Sequence, residues 1–138
     1  MAYTHAVTVA LPYEQTVERT REALAEQGFG ILTEIDVKAT FITKLGDDAG
    51  QALGDYVILG VCNPHLASKA LAAEPQLGAL LPCNVVVRRG ADEEHTIVEA
   101  IDPQTMVRLS DSAQVREIAD DADTRLRAAL GAISDASS

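Results

Sequence analysis

Tyr56-Val57-Ile58-Leu59-Gly60-Val61-Cys62 is an uncharged run that passes directly into Asn63-Pro64-His65. A short apolar stretch ending in a polar bend reads as a strand covered on both faces or nearly so. Asn63 is a favourable helix cap, and Pro64 suits the first helical position, where a missing N–H costs nothing. Leu66, Ala67, Ala70, Leu71 and Glu74 continue that helix as far as Pro75. A strand that runs into a capped helix, with a thiol at the junction, forms the centre from which the rest of the chain is read.

Upstream, Thr4 to Leu11 alternates with a period of two until Pro12 stops it, which gives a first strand. Tyr13 to Gln27 sets Val17, Ala23 and Leu24 at helical spacing, with Glu14, Glu18, Arg19, Arg21 and Glu26 facing outward and Gly28 as the stop. After Gly28-Phe29-Gly30, Ile31 to Ile35 is a second strand and Asp36 can cap the next segment. Val37, Phe41 and Leu45 lie four residues apart, so Val37 to Leu45 is read as a short helix closed by Gly46. Asp47 to Asp55 shows no periodicity and is expected to be a loop.

Downstream, Gln76 to Pro82 is a short connection, and Asn84 to Arg88 and His95 to Ile101 are two strands joined by the acidic turn Gly90 to Glu94. Asp102-Pro103 ends the second of them. From Asp111 to about Leu130, with Ile133 beyond, the residues Val115, Ile118, Ala122, Leu126, Ala129 and Ile133 step by three and four, which predicts the longest helix. Ser134 to Ser138 reads as a polar frayed tail. This order predicts an α+β fold over residues 1–133, a single domain built on a mainly antiparallel sheet of about five strands with helices packed on it.

The 138 residues carry 11 Lys and Arg against 21 Asp and Glu, a formal charge of −10. Such a field repels phosphate backbones and anionic membrane surfaces, so neither nucleic acid nor membrane is expected as a partner. The adjacent pair Arg88-Arg89 reads as a solvated strand end. No stretch approaches the ~18 apolar residues of a membrane helix, and the start Met1-Ala2-Tyr3-Thr4-His5 has no signal-peptide pattern, so a cytoplasmic protein is expected. In that compartment the two cysteines are expected as free thiols.

Those two thiols, Cys62 and Cys83, each mark the junction of an apolar strand with a polar bend. If the strands pair antiparallel, the thiols become neighbours close to His65. Two thiolates and an imidazole suit zinc or copper(I), making Cys62, His65 and Cys83 a candidate metal site. The same residues with Glu99 are candidates for lining an organic-ligand cleft. The plainest reading of either thiol, however, is a small core residue. Glu99 interrupts Ile97-Val98-Glu99-Ala100-Ile101: it points into a cleft if Ile97 and Ile101 face inward and into solvent if Val98 and Ala100 do. Glu34 and Asp36 share a strand face, with Asp36 read as the helix cap and Glu34 as exposed. His5 is read as a solvent-facing residue of an edge strand. Gly28-Phe29-Gly30 precedes a strand and so cannot cradle a phosphate at a helix start. Gly-x-Ser-x-Gly and His-Glu-x-x-His are both missing from the chain.

The blocks Gly28 to Val37, Leu59 to Pro64 and Leu80 to Val87 resemble the signature segments of the domain-of-unknown-function family 302 (DUF302). The resemblance implies a curved antiparallel sheet similar to that of the TATA-binding protein, covered by helices and usually assembled as a homodimer. It also implies that Cys62 and Cys83 belong to the family's recurrent cysteine blocks, and it implies no activity. Likeness of fold to a DNA-binding protein carries no function by itself. The leading expectation is a homodimeric module that binds a small molecule or soft metal near Cys62, His65 and Cys83. Alternatives are a thiol-dependent redox protein or enzyme, with Cys62 as nucleophile and Cys83 as resolving partner, and a partner-binding protein that uses the acidic terminal helix.

Overall fold

In the computed structural model, which describes residues 2–136, the expected alternation at the start of the chain forms β1 (Thr4–Val9). Pro12 then stands at the cap of α1 (Tyr13–Glu26). The covered side of α1 carries Thr16 and Thr20 beside Ala23 and Leu24. The two hydroxyls fit there because each bonds back to the preceding turn: Thr16 Oγ1 donates to the Pro12 carbonyl and Thr20 Oγ1 to the Thr16 carbonyl. Gly28, with φ of 85°, turns the chain out of the helix.

β2 (Gly30–Asp36) runs without a linker into α2 (Val37–Leu45), and the Asp36 carboxylate accepts from the Ala39 N–H as the cap. The stretch expected as a loop is instead a helix, α3 (Asp47–Leu53). Its start gathers Asp47 and Asp48, which favour a helix N-terminus, and Gly50 packs so tightly on Ile42 that a Cβ would come within 2.3 Å of that side chain. Packing on α2 supplied what periodicity did not.

The central run is β3 (Asp55–Cys62), followed by α4 (Pro64–Ala73), whose first turn is held by Asn63 Oδ1 accepting from the His65 and Leu66 N–H groups. A 3₁₀ turn, Pro75–Leu80, fills most of the expected plain connection. β4 (Cys83–Arg89) and β5 (Thr96–Ile101) form the hairpin. Beyond Pro103 a short helix that periodicity did not reveal, α5 (Gln104–Leu109), precedes α6 (Ala113–Ala136). Thus α6 continues through Ser134 and Asp135, where a frayed tail was expected, while Ser137 and Ser138 lie outside the described residues.

The fold is α+β. The five strands lie in the order β1-β5-β4-β3-β2, every neighbouring pair antiparallel. A register shift between Ile31 and Thr33 interrupts the β2–β3 ladder and leaves Leu32 65% exposed. One sheet face carries Val57, Leu59, Val61, Val85, Val87, Val98 and Ala100, all buried beneath α1 and α6 together with Leu24, Leu126 and Ile133. On the other face Tyr56, Ile58, Val86, Ile97 and Ile101 are only partly covered. The central strand is therefore sealed on one side, not on both. Its uncharged sequence reflects a second face that is apolar and only partly covered.

Candidate functional site

The β3–β4 register pairs Val61 with Cys83, and β2–β3 pairs Gly30 with Cys62. Strand alternation thus puts Cys83 on the covered face with Val61, while Cys62 belongs to the alternate set just before the α4 cap. Both are free thiols, Cys83 buried and Cys62 partly exposed. At this strand end they border one cavity of about 40 Å³, whose walls include Phe29, Leu66, Met106 and Ala122. Its lining is apolar apart from Asn63 and the two sulfurs.

Local backbone choices bring these walls together. At Gly60 a Cβ would collide with Thr33 Oγ1 and lie 2.8 Å from Pro82 Cγ, so only glycine allows β2 and the segment before Cys83 to approach this closely. A Cβ at Gly28 would meet Asn63 Nδ2 at 3.0 Å, which places the α1 stop against the α4 cap. The consequence for the thiols is electrostatic: burial, and secondarily the neighbouring Cys62, push the Cys83 thiol up to about 11. At neutral pH Cys83 is a protonated, weakly polar wall of the cavity.

The other expected site residues lie elsewhere. His65 is exposed on the first turn of α4 and does not line the cavity. Glu99 lies opposite Val86 and Ala6, on the sheet face away from Val98 and Ala100. There it accepts from Thr4 Oγ1 at 2.8 Å and from Arg88 Nη2 at 3.1 Å. The Thr4 hydroxyl above all, with the Arg88 guanidinium, holds its carboxyl below the ordinary range against the opposing effect of burial. Arg88 is therefore paired with Glu99 rather than merely solvated. Glu34 bonds Arg21 of α1.

A second cluster had no signal in the sequence. His5 does not face solvent: on β1 it lies opposite Ala100, on the covered face, and its Nε2 is 2.8 Å from Asp123 Oδ1 of α6 and 3.5 Å from Asp102 Oδ1. Residues 5, 102 and 123 share no spacing motif, and only the docking of α6 over the β1 edge unites them.

The profile of the family described as "Domain of unknown function DUF302" matches residues 5–133. The crystal structure of an uncharacterized conserved DUF302 protein from Bacillus stearothermophilus superposes with a TM-score of 0.84 at 30% sequence identity, covering 96% of this chain and 99% of that one. No curated protein matches the chain. Among the described residues no helix is long and apolar enough to cross a membrane. With a family profile spanning nearly its whole length and a fold shared along it, the chain belongs to the DUF302 family.

Proposed function

We propose that this chain is a small, cytoplasmic, homodimeric binding module whose ligand is a small apolar molecule held against Cys62 and Cys83. The carrying observation is the cavity at the β3–α4 junction, with its almost wholly apolar walls. A soft metal is the weaker occupant, because a thiol raised to about 11 resists becoming the thiolate that metals require. The same shift weighs against Cys83 as a resolving thiolate in a redox cycle. Met106 and Leu66 form part of the wall, and an unbranched methionine side chain readily yields to an entering group. This matters because about 40 Å³ is little more than the ~30 Å³ share of one water. Dimerisation is supported by the partly covered second sheet face and by the unpaired outer edge of β1.

Native mass spectrometry on protein taken directly from cells tests the reading. The expected result is a non-covalent organic adduct that disappears in Ala67→Leu, a change that enlarges a side chain of the cavity wall, on particles of twice the 14.6 kDa chain mass. Empty chains at the sequence mass, in wild type and variant alike, would overturn it.

A further inference from the structure

We propose that His5, Asp102 and Asp123 form a binding site for one divalent transition-metal cation of the zinc class, separate from the cysteine cavity. The three residues come from β1, the β5–α5 bend and α6, and their ligand atoms all lie within 4.8 Å of one another. Zinc holds nitrogen and oxygen ligands at about 2.0–2.2 Å, so tetrahedral ligand atoms stand roughly 3.3–3.5 Å apart. The 2.8 Å and 3.5 Å separations from His5 Nε2 bracket that spacing, so small side-chain movements suffice. One neutral imidazole and two carboxylates balance a double positive charge and leave a fourth position for water.

Two further observations separate this cluster from an ordinary surface ion pair. Both carboxylates are held by outer partners: the Asp102 oxygen that faces His5, Oδ1, itself accepts from the Gln104 N–H at 2.9 Å, and Arg127 Nε lies 3.1 Å from the other oxygen of Asp123, Oδ2. Outer partners of this kind are what fix metal ligands. The location is also costly. His5 occupies the strand face that otherwise carries Val7 and Val9, and Asp123 stands between Ala122 and Leu126 on the inward side of α6, with side chains only 21% and 15% exposed. A largely buried polar pair there is often matched in stability by an apolar pair of similar volume. Stability alone therefore does not account for these residue types, whereas ligation does.

The test is a calorimetric titration of chelator-treated protein with zinc chloride, paired with nitrogen-edited spectra of the imidazoles of His5, His65 and His95 in the unaltered chain. Expected are one zinc per chain, ring signals that move for His5 and stay fixed for the other two, and affinity reduced at least tenfold in Asp102→Asn and Asp123→Asn. The Cys62→Ser/Cys83→Ser double variant should bind zinc within about twofold of wild type. The spectra of the wild-type chain decide the matter if an aspartate variant does not fold. Unmoved His5 signals at millimolar zinc, or zinc binding abolished by the cysteine changes, would overturn the proposal.

Discussion

Two neighbouring residues of α6 look onto opposite chemistries. Ala122 borders the apolar cavity of Cys62 and Cys83, and Asp123 reaches the imidazole of His5. The cavity is centred on a strand end and the helix next to it in sequence, and Phe29, Cys83, Met106 and Ala122 close it from other elements. The polar junction is built from three segments that meet only because α6 crosses the sheet. A single helix that supports both should make them rise and fall together when its anchor is lost, and separately when their own groups are changed.

The largest effect is expected at that anchor. Leu126 is fully buried one turn from both Ala122 and Asp123. Leu126→Ala should lower unfolding free energy by about 2–5 kcal/mol, read from the urea midpoint at unchanged slope. A loss below 1 kcal/mol would mean that α6 does not hold the two regions jointly.

A smaller effect isolates the cavity. Well below pH 9 the Cys83 thiol keeps its proton in both the folded and the unfolded chain, since its ordinary value is 9.0. Between there and about 11 the unfolded thiol ionises while the folded one does not, so stability falls as pH rises through this window. The expected loss is on the order of 2 kcal/mol. Tyr13, pushed up to about 12 by burial and by Asp36, Asp55 and Glu34, adds a slope of the same sign. The difference between wild type and Cys83→Ala is therefore the quantity to measure, and superimposable profiles would refute a buried protonated thiol.

The smallest effect sharpens the other side. Replacing the polar pair by His5→Leu/Asp123→Leu should change the stability of metal-free protein by less than about 1 kcal/mol, because apolar groups of similar volume replace a largely buried polar pair at little cost. Asp123→Ala alone should cost more, about 1–3 kcal/mol, by removing the nearer of the two carboxylates that face the imidazole. Equal losses in the two variants, measured by thermal melts, would show that the junction is retained for stability after all.

The same contrast explains what could be read from the residues alone. Strand identities, the Asn63 cap and the paired strand ends at Cys62 and Cys83 were legible because alternation, capping chemistry and antiparallel register are local or nearest-neighbour properties. The helix at Asp47–Leu53 was not, since its apolar contact is a glycine pressed on Ile42 and not a stripe of side chains. Likewise Thr16 and Thr20 of α1 are covered although their type suggests exposure, because their hydroxyls are satisfied within the helix. His5 looked like a solvent residue because its partners, Asp102 and Asp123, lie far along the chain and nothing in the first strand announces them. At Glu99, alternation offered two faces, and the burial of Val98 and Ala100 chose between them.

The slip in pairing beside Leu32 has a consequence for assembly. A strand interrupted in this way bends and twists away from a straight ladder, and it presents an irregular row of donors and acceptors to any incoming chain. Growth of the sheet by addition at β2 is thereby discouraged, which leaves the uninterrupted β1 margin as the side on which another extended segment can align.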